Sequence, residues 1–207
     1  MVAYYTGVGS RETPEEVLEL MRDVAYRLSR MGLVLRSGKA AGADAAFQMG
    51  AQRWHEECGY LSIPPENIAE IYIPWDKFKG GEGLDDRYDL SLRTLDRQVP
   101  ENPQMREQMA EEVHPVWERL SQGAKKLHER NIHQVFGKDL KNKGKGQSKF
   151  LIYYAKESKN GGALGGTATA VNTAASAGIP TLNLYHENNR GVLVKFIELM
   201  ENRRGIS

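Results

Sequence analysis

A single cysteine, Cys58, stands in the 207 residues. The chain therefore has no internal disulfide and no cysteine-rich zinc site, as expected of a protein kept in a reducing compartment. No apolar run approaches the ~18 residues that a membrane-spanning helix needs. The N-terminal "VAYYT" has neither the basic flank nor the apolar stretch of a secretory leader. A cytoplasmic protein with no membrane partner is the expectation. Charge of one sign is missing too: 28 Lys plus Arg stand against 27 Asp plus Glu, a net charge of +1. That balance excludes the globally basic surface of most nucleic-acid binders and leaves room only for local basic patches. Internal repeats are absent, and with 40% hydrophobic and 27% charged residues the composition fits one ordered domain over residues 1–207.

What is present is an alternation of strand and helix patterns. Val2 to Thr6 reads as a buried strand and leads into "GVGSRETP", where Thr13 and Glu16 have capping-box spacing around Pro14. Val17, Leu20, Met21, Val24, Leu28 and Met31 then recur at helical steps, and Gly32 is placed to end the helix. "LVLRSG" predicts a second strand, residues 44 to 58 a helix of small residues, and "EIYIPW" a third strand. The rhythm breaks over residues 76 to 102, predicting an irregular insertion over the strand ends. Helical sequence follows to Phe136, interrupted near residues 121 to 123. After it come the lysine-rich "KDLKNKGKGQSK", the strand "FLIYYA", a glycine-rich stretch with its helix, the strand "TLNL" and a last helix from about Asn189. The pattern predicts an α/β fold, a modified Rossmann-like doubly wound and mainly parallel sheet with an irregular and helical insertion at about 76–120.

Such sheets bind ligands at the carboxyl ends of their strands, where helix N-termini offer free N–H groups. Three segments suit that place. "TGVGSR" offers Gly7 and Gly9 for close backbone approach, Ser10 as a hydroxyl donor and Arg11 as a forked partner for an anion. The third glycine of a dinucleotide fingerprint would fall on Glu12, so the same residues also fit a tight turn before the helix. "SGKAAGADAA" places Ser37, Gly38 and Gly42 between strand and helix, with Asp44 either a ligand contact or an N-cap. In "GGTATAVNTAASAGIP", Gly165, Gly166, Thr167 and Thr169 would form a helix N-terminus of bare amides and outward hydroxyls. Neither "HERNIH", with histidines five apart, nor "HEEC" has the spacing or the ligand number of a metal site.

The blocks "GVGSRETP", "LRSGKAAGADAAFQMGA", "LHERNIHQVFGKDL" and "GGTATAVNTAASAGIP" resemble, in order, those of the SLOG superfamily, which joins the DNA-processing protein DprA to the LONELY GUY nucleotide-processing proteins. The similarity covers both ends of the chain and leaves roughly residues 76 to 120 outside it. It implies a modified Rossmann fold that binds nucleotide-derived ligands or nucleic acid. "HERN" is similar to the Arg-Asn motif of DprA and to the His-x-Arg-Lys motif of LONELY GUY enzymes, which adds Arg130 and Asn131 to the candidate ligand residues. The LONELY GUY pattern P-G-G-x-G-T-x-x-E ends in a glutamate that works beside the arginine. With Gly166 and Thr167 on its Gly-Thr, that place holds Ala170. Loss of a general acid or base costs about 10²- to 10⁴-fold in rate, so the resemblance implies binding without hydrolysis, with no catalytic residue, cofactor or metal.

SLOG-like proteins read nucleotide signals in bacterial defence, and a free-standing domain would fit a sponge that removes such a signal. The expected ligand is accordingly a nucleotide-derived small molecule of ADP-ribose or cyclic nucleotide type, and the expected assembly a homo-oligomer. Two other readings stand beside it. One is a DprA-like single-stranded DNA binder using the lysine run with Tyr153, Tyr154 or Trp75 as stacking partners. The other is an N-glycosidic hydrolase using Asp44 or Glu12 as its acid.

Overall fold

The computed structural model describes residues 2–159 and 161–206. Its elements begin with β1 (Ala3–Gly9), α1 (Glu15–Arg30), β2 (Leu33–Ser37), α2 (Ala43–Cys58) and β3 (Ala69–Ile73). Then come β4 (Asp89–Ser91), α3 (Leu92–Gln98), α4 (Asn102–Val113), α5 (Gln122–Phe136) and the short α6 (Lys143–Gly146). The last are β5 (Leu151–Tyr154), α7 (Thr167–Ser176), β6 (Thr181–Asn183) and α8 (Glu187–Arg204). The strands form one sheet in the order β4-β3-β2-β1-β5-β6, and every neighbouring pair is parallel. This is the Rossmann-like doubly wound α/β fold that the alternation predicts. From β1 the chain winds outward through β2, β3 and β4, then crosses to the other side of β1 for β5 and β6. The direction of winding reverses between β1 and β5, which opens a crevice beyond their carboxyl ends.

Helices cover both faces, and successive strand residues serve opposite cores. Ile152 and Tyr154 of β5 pack with Tyr5, Leu35, Phe47 and the buried stripe of α1, formed by Val17, Met21, Val24 and Leu28. Leu151 and Tyr153 point the other way, toward Val8, Ile132, Val135 and Ala174 under α5 and α7. Tyr153 and Tyr154 are therefore both buried, 7% and 6% exposed, and neither offers a ring to a base. Gly7 belongs to this packing as well: a Cβ there would lie 2.6 Å from the Phe47 ring, so α2 approaches β1 only because the position is bare.

Two local expectations give way to tertiary structure. Thr13 and Glu16 do not form a capping box. Pro14 is the N-cap without a side-chain bond, the Thr13 hydroxyl donates to Ser10 O (2.8 Å), and Glu16 pairs with Arg190 of α8 (3.1 Å). The insertion is not wholly irregular either, because residues Asp89–Ser91 add a parallel sixth strand beside β3. Lys39 ties this insertion to the sheet: its ammonium pairs with Asp86 and Asp89, and Lys39 O accepts from Gly81 N (3.0 Å).

Buried ion pairs fix α5. Arg106 of α4 donates to Glu129 of α5 (2.8 Å) and to both oxygens of Asp96 of α3. The lysine run lies elsewhere. It precedes β5 and joins the sheet where Lys149 N donates to Tyr4 O (2.7 Å), at the amino ends of the strands. Lys138 and Lys141 there already face Glu70 and Glu101.

Candidate functional site

A cleft of about 340 Å³ occupies the crevice at the point where the winding reverses. Its floor is the end of β1 and the following loop, Val8 to Glu12; one wall is Leu164 to Thr167 and Ala170 at the start of α7. The other wall is the face of α5 that carries Ala124, Leu127, His128, Arg130, Asn131 and Gln134, with Ala40 and Asp44 behind. Of the residues singled out in the sequence, Gly9, Ser10, Arg11, Asp44, Arg130, Asn131, Gly165, Gly166 and Thr167 come together here.

The other five are placed differently. Gly7 lies under Phe47, and Ser37 is fully buried, its hydroxyl donating to Gly7 O (2.7 Å). Gly38 makes room for Arg130, whose Nη1 would sit 1.4 Å from a Cβ at that position. Gly42 is the N-cap of α2, with φ of 80°. Thr169 is 1% exposed and hydrogen-bonds through Oγ1 to His128 Nδ1 (2.7 Å), so it holds a cleft residue and does not point outward.

Asp44 is not the N-cap of α2 but lies in its first turn. Its carboxylate accepts from Gly9 N (3.1 Å) and Ala40 N (3.4 Å) and faces Arg130 Nη1 at 3.6 Å. Burial pushes its carboxyl above the usual range, against the pull of Arg130 and the amides. The β2–α2 loop thus spends its polar groups on the protein itself, and the insertion packs over Lys39 within it. It is not an open anion cradle.

Arg130 is 7% exposed, and Nη1 donates to Gly38 O and to Tyr72 O (3.3 Å). With its oxygen toward Gly38 N (3.1 Å), the Gln134 amide also accepts from Nη1. Burial lowers the pKa of Arg130, and the nearby charge of Arg11 lowers it further. Nε is buried with no hydrogen-bond partner among the described residues. Opposite, the α7 N-terminus is held by Asn131 Nδ2, which donates to Gly166 O (2.9 Å). Gly165 turns with φ of 76°, and a Cβ on Gly165 or Gly166 would meet nothing within 4 Å. The cleft therefore gathers the Arg11 guanidinium on its floor, the buried Arg130 guanidinium on one wall and a helix N-terminus on the other, an arrangement that favours an anion.

Sequence reasoning passed over Leu127 and Gln134 and weighed His128 only as a metal ligand; all three share the α5 face with Asn131 by helical spacing. It also passed over Leu164, half exposed at the mouth. Burial and the nearby Arg130 and His114 hold His128 down at about 4, so its ring is neutral at pH 7. One turn further, His133 is fully buried, stacked on Tyr72 at 5.6 Å and bonded to Gly137 O (2.8 Å), and burial holds it at about 4 as well.

A pH dependence follows from these histidines. The unfolded chain takes up protons near pH 6.5 while the folded one does not, so stability present above pH 6.5 is lost as pH falls toward 4. The fully buried His133 alone accounts for up to about 3 kcal/mol of that loss. Denaturant unfolding between pH 7 and 4 checks it: the slope should flatten in His133→Gln, and an unchanged slope would contradict it.

No model of a known protein family matches the chain, and no curated protein or solved structure matches it either.

Proposed function

We propose that the protein binds a nucleotide-derived anion, of ADP-ribose or cyclic nucleotide type, in the cleft between β1 and β5, and reads or sequesters it without turning it over. The observation that carries this reading is the convergence of Arg11, the buried Arg130 and the start of α7 on one cleft. Arg11 and the α7 amides would hold the phosphates, and Leu127 and Leu164 supply apolar surface for a sugar or base. The resemblance to SLOG proteins supports the ligand class and the role in nucleotide signalling.

Absence of turnover rests on Ala170, which lines the cleft where LONELY GUY enzymes carry their glutamate. The remaining cleft carboxylates are poorly suited to replace it. Asp44 is committed to Arg130 and two amides, and the Glu12 side chain is 82% exposed. The DNA-binding reading loses its composite site, since the lysine run lies at the opposite edge of the sheet and Tyr153 and Tyr154 are buried.

Calorimetry with ADP-ribose, followed by chromatography of the recovered ligand, is the test. Binding should be saturable, the ligand should come back intact, and Arg11→Ala should weaken it by about 1.5–3 kcal/mol. No heat of binding would sink the reading. Release of ribose or free base would replace it with hydrolysis.

A further inference from the structure

A second cleft, of about 600 Å³, opens on the same carboxyl edge of the sheet but further out, beyond β3 and β4. Its lining includes Trp75, Arg93, Arg97 and Lys126, and it shares no residue with the first cleft. Lys126 faces it from α5, one residue before the Leu127 that lines the first, so the start of α5 is the ridge between them.

Three features set it apart from ordinary surface. Trp75 is 45% exposed inside a concavity, whereas Trp54 is half-buried and Trp117 is 4% exposed. Its ring is braced edge-on by Phe78, centroids 5.4 Å apart at 79°. The charges around it are unevenly matched. Asp76 pairs with Arg93 (3.2 Å), and Asp96 and Glu129 are taken by Arg106, with Lys126 also on Glu129. Arg97 is exposed and makes no ion pair within 4 Å among the described residues, meeting Asp76 only through its charge. An exposed, oriented indole beside an exposed guanidinium and an ammonium is the combination that recognises a flat ring joined to an anion.

We propose that this cleft is a separate nucleotide site, in which a nucleobase stacks on Trp75 and the phosphate next to it meets Arg97 and Lys126. The unit recognised is a base with its adjoining phosphate, whether from a free nucleotide or from a single strand. The assignment does not depend on the reading of the first cleft.

The test uses indole emission of the full chain titrated with AMP, with adenosine and inorganic phosphate as half-ligands and a short strand of deoxyadenosines as the alternative source. AMP should quench saturably and more tightly than either half-ligand, and the quench should vanish in Trp75→Phe. By calorimetry, Trp75→Ala should bind AMP roughly 5- to 150-fold more weakly, the range that base stacking spans. The Arg97→Ala/Lys126→Ala double variant should weaken AMP and lose most of its salt dependence, while Gly166→Val should leave the Trp75 signal intact. That last variant separates failure here from failure of the first cleft. A strand that binds far more tightly than AMP, with a steep salt dependence, identifies the natural source as nucleic acid; equal binding identifies it as a free nucleotide. No quench up to millimolar AMP, a quench that persists in Trp75→Phe, or an unchanged affinity in the double variant would overturn the assignment.

Discussion

Gly166→Val is expected to weaken ADP-ribose binding by roughly 100-fold, about 2.7 kcal/mol, while the free protein melts as before. The residue precedes α7 with φ of −62° and ψ of −24°, a conformation valine adopts readily. A Cβ there meets nothing within 4 Å, so the free protein leaves open space where the larger side chain begins. The whole effect should fall on whatever seats itself against the exposed amides. Calorimetry paired with thermal melting reads both quantities. Unaltered affinity would remove the α7 N-terminus from the site, and an equal loss of melting temperature would make the glycine a folding requirement.

Asp44→Ala carries the largest expected cost in stability. Asp44 and Arg130 are 3% and 7% exposed, and removing the carboxylate leaves a buried guanidinium without its counter-charge. Breaking such a pair from one side costs about 3–5 kcal/mol. The Gly9 and Ala40 amides lose their acceptor in the same step. Equilibrium unfolding in urea measures the sum. A loss under about 1 kcal/mol, well below the range for a buried pair, would show that Arg130 finds another partner and that the two loops do not depend on Asp44.

The sheet was largely legible because its inner strands are apolar runs set between capped or glycine-ended helices. β4 was not: Asp89-Leu90-Ser91 holds one apolar residue and pairs only because β3 leaves it an edge. Among the site residues, small size was the readable signal, and it does not say what needs the space. At Gly7 the answer is Phe47, forty residues on, and at Gly38 it is the Arg130 guanidinium, ninety-two residues on. Thr169 shows a similar limit. Two residues past Thr167 it lies about 200° around the helix, so a hydroxyl read as outward turns in to His128. The capping box failed because Pro14 and a distant Arg190 claimed its parts.

Both outer strands, β4 and β6, are only three residues long. A parallel sheet of this width leaves two rows of unpaired backbone groups, and here each row is too brief to template a neighbour. Another chain could add one or two rungs at most before meeting α3, which follows β4 directly, or the turn that leads into α8. Growth of the sheet from molecule to molecule, the usual route from a folded β-edge to a fibre, therefore has no foothold on either side.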